Sequence, residues 1–383
     1  MERTLHGPAA TPAARRFPPP GHWPTATPEA VGLDPAGIAD AVAYAQAHES
    51  TRWPRRMVDE HGRYPADGMA DKPEWAELLG PVRPHEAPHG VIVRHGALVA
   101  QWGPVERVDM TFSISKSYLA LLALLALQRG LIHDLSDRVR DYDLDDGFEA
   151  AQNRDITWEQ LLLQTSEWEG TLFDKPDLAD RNREIGGDDR NKGTFRELQT
   201  PGTHWEYNDV RVNRLSLSLL RLFKRPLTEV LREAIMEPIG ASDTWEWPHY
   251  RNAVVDVTGM DMPSIPGGAH WGGGLWINSL DHARMAWLVL NGGNWAGREV
   301  LRPDLVARLS TQAPGNPNYG YLWWLNTGRT ALPAAPEGGL FCRGAGTHLI
   351  WLDAEQDLVL VSRWVDSPHW NPLIERIMGA LRD

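Results

Sequence analysis

Cysteine occurs once in the 383 residues, as Cys342, so no internal disulfide framework can form and the chain fits a reducing compartment. No run of basic residues is found, and the formal net charge is −13. Both argue against a nucleic-acid surface, which needs clustered Lys and Arg to meet phosphates. Long hydrophobic runs are lacking too. The longest uncharged apolar stretch, Tyr118 to Leu127, falls well short of the ~18 residues a membrane span needs and reads as a buried helix. The opening residues, from Met1 to Gly7 and then rich in Pro and Ala, hold no apolar core of the kind a signal peptide carries. A cytoplasmic protein that engages neither membrane nor nucleic acid is expected. Fourteen histidines would supply a Ser-His-Asp hydrolase, but no G-x-S-x-G elbow accompanies them. The triplet Gly272-Gly273-Gly274 is followed by no lysine, which excludes a phosphate-binding loop.

With 42% hydrophobic and 23% charged residues the chain can bury a large core in one or two domains. Residues up to about Trp23, with Pro18-Pro19-Pro20, predict an extended arm, and Asp34-Pro35 is an N-cap and first-turn proline opening a helix through Ala47. Arg52 to Pro88 is polar and broken by prolines, hence mostly loop. Gly90–Arg94 and Ala97–Trp102 flank His95-Gly96 as a β-hairpin. Helical patterns follow over Leu119–Leu125, Ile156–Ser166, Leu215–Phe223 and Leu227–Met236. Later segments turn strand-like, at Gly272–Ile277, Tyr319–Leu325, Leu340–Cys342, His348–Asp353 and Leu358–Trp364, with helices at Leu280–Leu290 and Pro372–Leu381. Glu167 to Phe195, carrying Trp168, Gly170 and Phe173, reads as a long functional loop over a cleft, with Trp168 a candidate pocket wall.

His85-Glu86-Ala87-Pro88-His89 matches the H-E-x-x-H zinc signature in letters only. That signature works because helical spacing sets two imidazoles on one face, and Pro88, with Pro81 and Pro84 upstream, forbids the helix. No metal or other cofactor is expected.

The chemistry concentrates at Met110-Thr111-Phe112-Ser113-Ile114-Ser115-Lys116-Ser117-Tyr118, which runs into the apolar series Leu119 to Leu125. One helical turn separates Ser113 from Lys116 and brings an ammonium beside a hydroxyl. Serine is a weak nucleophile unless a neighbouring base has lost its own proton, through burial or a second cation. The competing reading makes Ser113 an N-cap and Lys116 a solvated helix residue.

Two further landmarks follow in order: Tyr207 after Pro201-Gly202-Thr203, and Arg343-Gly344-Ala345-Gly346 between terminal strands. From about Gly32 onward the chain resembles the β-lactamase-like serine hydrolases, a family that includes class C β-lactamases, D-alanyl-D-alanine carboxypeptidases, β-lactamase-fold esterases and nylon-oligomer hydrolases. The resemblance implies an α/β fold of the α+β type, an antiparallel sheet flanked by helices with an inserted, mainly helical region. Residues 1–31 would form the arm, 32–112 plus 267–383 the sheet-containing part, and 113–266 the helical part, all serving one catalytic unit. It also implies that Ser113 forms an acyl-enzyme and that Lys116 and Tyr207 exchange protons as a coupled pair, either being the formal base. Backbone N–H groups of Ser113 and Gly346 would hold the oxyanion, and Arg343, Gly344, Ala345, Asp209 and Trp168 would meet the substrate.

Two departures bear on that substrate. The second motif, usually Tyr-x-Asn, is Tyr207-Asn208-Asp209, and the third, usually Lys-Thr-Gly or His-x-Gly, is Arg343-Gly344-Ala345. An anionic Asp209 in the cleft, with Trp168, Phe173 and Trp271 as apolar walls, leads to an expectation of small uncharged esters or amides and poor turnover of β-lactams. The alternatives are a β-lactamase or D-alanyl peptidase, and a non-catalytic member of the fold that binds a ligand or peptide.

Overall fold

The structure is a computed structural model that describes residues 15–65, 69, 71–187 and 189–382. Most of the expected arm, residues 1–14, lies outside the described residues. From Arg15 onward the arm is strapped across the molecule. The Arg16 and Ala26 N–H groups donate to His95 and Leu98 carbonyls, while the Arg284 guanidinium gathers the carbonyls of Pro18, Pro19 and His22.

Helix α1 (Pro35–Ala47) starts where the Asp34 carboxylate accepts from the Gly37 N–H at 2.7 Å, with Pro35 in the first turn. Strands β1 (His89–Arg94) and β2 (Ala97–Trp102) form the hairpin, with an irregularity between Ile92 and Val93. A two-residue strand β3 (Asp109–Met110) then delivers the chain to α2 (Ile114–Gln128). Helix α3 (Trp158–Leu162) carries a Thr157/Gln160 capping box, and α4 (Asp209–Phe223) is capped by the Asn208 side chain. The later chain supplies β4 (Trp276–Ile277), α5 (Ser279–Leu290), β5 (Trp324–Leu325), β6 (Leu340–Gly344), β7 (His348–Asp353), β8 (Leu358–Arg363) and α6 (Trp370–Gly379).

Six strands make one antiparallel sheet in the order β5-β6-β7-β8-β1-β2. An early hairpin thus sits beside the last strand, through pairs such as Val91 with Val361. Every residue of β1, β7 and β8 is buried. Helix α5 covers β1, β7 and β8, α1 packs on α6, and α2 lies against β6. A strand covered on both faces needs no polar side. The sequence pattern of alternation is accordingly replaced by near-continuous apolar runs such as Val91-Ile92-Val93.

Helix α2 is buried from Ile114 through Ala126, wedged against α4 and the short helix Pro303–Ala307. Each of its leucines contributes about 1.5–3 kcal/mol by leaving water, so the helix is held without help from a long polar face.

Two expected strands are mostly irregular. Of Gly272–Ile277 only Trp276–Ile277 is strand, paired with Asp109–Met110. Gly272, Gly273 and Gly274 all have φ between +66° and +80°, and a Cβ on Gly272 would run into the Gly80 carbonyl. The triplet lets the 78–81 loop dock backbone to backbone, with the Gly273 N–H donating to Pro81. Of Tyr319–Leu325 only Trp324–Leu325 is strand, with Tyr319 bridged to Trp324. Residues 85–88 form no helix: the His85 ring stacks on Trp364 at 3.6 Å, and His89 Nε2 lies 3.3 Å from Asp109.

Candidate active site

Ser113 owes its position to a turn fixed on several sides. Phe112 has φ +51°, a left-handed conformation that is costly for an aromatic residue and persists only when its neighbours enforce it. The Thr111 N–H donates to Leu275, the Ser115 hydroxyl donates to the Phe112 carbonyl at 2.6 Å, and the Leu275 N–H donates to Ser115 Oγ at 3.0 Å. Ser113 precedes α2 in N-cap position, but its hydroxyl caps nothing. Lys116 Nζ donates to Ser113 Oγ at 2.9 Å instead. Lys116 is only 1% exposed, so the reading of a solvated helix lysine does not hold.

Behind Lys116 lies Asp209, at the start of α4. Its Oδ1 accepts a short hydrogen bond from Nζ, its Oδ2 accepts from the Arg183 guanidinium at 2.6 Å, and the same Oδ2 is 3.0 Å from His270 Nδ1. Its backbone N–H donates to the buried Asp180 at 2.8 Å. The Tyr207 ring centre is 4.8 Å from Lys116 Nζ and 5.2 Å from the Arg183 guanidinium carbon. Burial works against the Lys116 ammonium, but the Asp209 carboxylate outweighs it and holds the pKa above the ordinary lysine value. Burial likewise opposes the Asp209 carboxylate, and Lys116, His270 and Arg183 overcome it, keeping the acid ionised far below its usual range.

Ser113 and Tyr207 open onto a cleft of about 220 Å³. One wall is Trp324, Trp370 and Arg343, whose guanidinium carbon lies 4.9 Å and 5.3 Å from the two indole centres. The opposite wall is residues 183–187 and Asp189, from the loop that the sequence singled out. Glu167 anchors that loop's base through Arg196 and Arg211, which, against the cost of burial, hold its carboxyl down at about 2.

Of the residues expected at the site, Ser113, Tyr207, Arg343, Gly344 and Ala345 line the cleft, and Lys116 stands directly behind Ser113. Three do not line it. Trp168 is buried with its indole N–H on the Gly147 carbonyl, because the chain turns inward after α3. Gly346 packs under Phe112 and His348, while its neighbours Ala345 and Thr347 face the cleft. Asp209 is enclosed by Lys116, Arg183 and His270, so it offers a substrate no uncompensated negative charge. Phe173 and Trp271 are absent from the walls as well. His270, Trp324 and Trp370 carried no local signal in the sequence, and only the reading of 167–195 as a functional loop pointed toward Arg183.

Asp71, Asp180 and His270 bring ligand-type atoms within 4.8 Å of one another. The Lys192 ammonium already contacts both carboxylates, so a cation occupies the place a metal would take.

A sheet flanked by helices, with a Ser-x-x-Lys serine at the mouth of a buried helix, defines the β-lactamase/transpeptidase class of fold. Residues 90–364 match the beta-lactamase family, and the chain belongs to this family of serine hydrolases. A penicillin-binding protein homologue from Caulobacter crescentus is similar in structure, with a TM-score of 0.58 at 16% identity over 91% of this chain and 99% of that one. A beta-lactamase from Mycobacterium bovis gives 0.54 at 19% identity, over 77% and 95% of the two chains. A family VIII carboxylesterase gives 0.54 at 16%, over 79% and 93%. Comparison with curated proteins finds no match. Among the described residues no helix is long and apolar enough to cross a membrane.

Proposed function

We propose that the protein is an acyl-transfer hydrolase of small carboxylic esters or amides, with Ser113 as nucleophile. The observation that carries this is the 2.9 Å contact between Ser113 Oγ and the buried Lys116 Nζ at the floor of a cleft. Ser113 attacks the carbonyl carbon, its proton passes to Lys116 or Tyr207, and the resulting acyl-enzyme is released by water. The Ser113 N–H and, from the edge of β6, the Ala345 N–H are the candidate oxyanion donors, since Ala345 rather than Gly346 borders the cleft. Tyr207 stacks beside Trp324 with ring centres 5.9 Å apart, and both residues line the cleft with Ser113.

A second reading concerns the substrate's charge. Among the described residues no carboxylate pairs with Arg343, whose guanidinium faces the cleft between two indoles. With Asp209 neutralised by its own partners, a substrate carrying a carboxylate, a β-lactam among them, is favoured more than the sequence suggested. A fluorophosphonate probe tests the main proposal. Covalent modification mapped to Ser113, lost in Ser113→Ala with the fold retained, supports it. Absence of labelling on a folded, pure protein leaves the ligand-binding alternative standing.

A further inference from the structure

The charges around His270 are linked to the nucleophile by one carboxylate. His270 Nδ1 lies 3.0 Å from Asp209 Oδ2, and Asp209 Oδ1 accepts from Lys116 Nζ. His270 Nε2 lies 2.9 Å and 3.0 Å from the two Asp71 oxygens, and Asp180 Oδ2 is 3.6 Å from Nδ1. Lys192 Nζ stands 3.4 Å from Nε2, farther than either Asp71 oxygen, and itself contacts Asp71 and Asp180. Trp271 stacks on the ring with centroids 4.1 Å apart, and the Lys175 ammonium lies 5.2 Å from the Trp271 ring centre.

Both imidazole nitrogens therefore face carboxylates, and a ring can satisfy both only by carrying both protons. Among the described residues, Asp71, Asp180 and Asp209 meet Arg183, Lys192, His270 and Lys116, and Arg183 cannot lose its proton. His270 and Lys116 press on the same Asp209 carboxylate, and two cations sharing one buried acid is a costly arrangement when both are protonated.

Resting on the proposed role of Ser113 and Lys116, we propose that His270 is a positioning residue: its imidazolium competes with Lys116 for Asp209 and so eases loss of the Lys116 proton. Lys116 must lose that proton to solvent before it can take one from Ser113. The attack then balances: the Ser113 Oγ bond to the acceptor atom forms, the leaving-group bond breaks, and the Oγ proton goes to neutral Nζ.

The rate of Ser113 modification by a fluorophosphonate, followed from pH 6 to 9, tests this without knowledge of the natural substrate. In that step the Oγ–P bond forms and fluoride leaves. Lys116 stays mostly protonated over this range, so the rate reads how readily its proton is lost. His270→Asn should slow labelling about tenfold. His270→Lys, which keeps the charge, should restore the rate. In an Asp209→Asn background the slowing from His270→Asn should vanish, because the link is gone. A slowing that His270→Lys does not restore, or that persists in the Asp209→Asn background, would mean that His270 only packs, and the proposal would fall. Wild-type protein that never labels at Ser113 would instead defeat the hydrolase reading.

If His270→Asn does not fold, ¹⁵N-histidine spectra of the wild type decide. Burial pushes the pKa of His85, His89, His282 and His348 below the ordinary imidazole value, away from the doubly protonated form. A buried ring with both N–H protons in slow exchange from pH 6 to 8 supports the assignment to His270, and its absence overturns it.

Discussion

The guanidinium of Arg343 lies 4.9 Å from the centre of the Trp324 indole and faces the cleft that exposes Ser113. Burial lowers its pKa from the ordinary arginine value, yet a guanidinium remains charged at any working pH. Such a cation gains from a substrate carboxylate. Arg343→Met, which keeps the packing on the indoles, should raise KM for a carboxylate-bearing ester or a cephalosporin about 10- to 100-fold, the scale of a charge-assisted hydrogen bond. Turnover of p-nitrophenyl butyrate should change less than about threefold. Equal losses on both substrates would mean that Arg343 serves only as a wall.

Tyr207→Phe removes a hydroxyl and leaves the ring that packs against Trp324 and Lys116. Acylation should slow by about 10²-fold or more, with KM less affected, because positioned proton transfer contributes on that scale. Pre-steady-state release of p-nitrophenol separates acylation from deacylation. An unchanged burst rate would leave Lys116 as the sole proton carrier.

Stability should fall as pH drops below about 6.5, well before most carboxylates protonate. Burial holds His89 at about 4, and it depresses His282 and His348 well below the ordinary imidazole value too. Between the unfolded value near 6.5 and these lower folded values the unfolded chain binds protons that the folded chain refuses, so acid favours unfolding. His89 alone is worth about 3 kcal/mol across that window. Glu167, held at about 2, adds a loss at still lower pH, from its unfolded value near 4.5 downward. His270, raised above its usual value by Asp71 and Asp180 against burial, acts with the opposite sign: its contribution is present in acid and lost as pH rises through its folded pKa. Urea unfolding at pH 7.5, 6 and 5 reads the slope, and His89→Gln should flatten it.

Gly346→Ala should destabilise by about 1–3 kcal/mol, the usual cost of overpacking. A Cβ there would lie 2.5 Å from His348 Nε2 and 2.6 Å from the Phe112 ring, and Phe112 adjoins Ser113. Ester hydrolysis should drop along with Tm. A variant as stable and active as the parent would show that the turn after β6 yields more readily than its packing implies.

The Ser113–Lys116 pair, the helix that carries it and the late strands were legible in the sequence because each rests on short-range pattern: Ser113 to Lys116 spans one turn, and Leu340, His348 and Leu358 each open a local apolar run. The surroundings of Lys116 were not. Asp209 looked like a charge offered to substrate, because nothing near it announces Arg183, which arrives from the loop twenty-six positions earlier, or His270, which arrives from beside the glycine triplet. Trp168 looked like a cleft wall from its place in that loop, yet the indole turns into the core toward Gly147. Trp324 and Trp370, which do form the wall, sit in segments whose aromatic content reads equally well as packing. Long-range charge partners and side-chain direction in irregular loops have no period to reveal them.

The sheet order has a consequence for how the protein is made. Strand β1 leaves the ribosome early but needs β8, paired as Val91 with Val361, for one of its edges. Helix α1 waits in the same way for α6, with Leu33 bridged to Leu381. The Ser113 turn hangs between these late partners: the Arg363 guanidinium donates to the carbonyls of Asp109 and Met110, two residues that lead into it. Such non-local pairing is slow and leaves apolar edges uncovered during synthesis. A nascent chain stalled before β8 would carry the Ser-x-x-Lys sequence without a braced Ser113, so activity should switch on only once β8 has emerged and paired, and cellular yield should depend on chaperones that shield β1 until then.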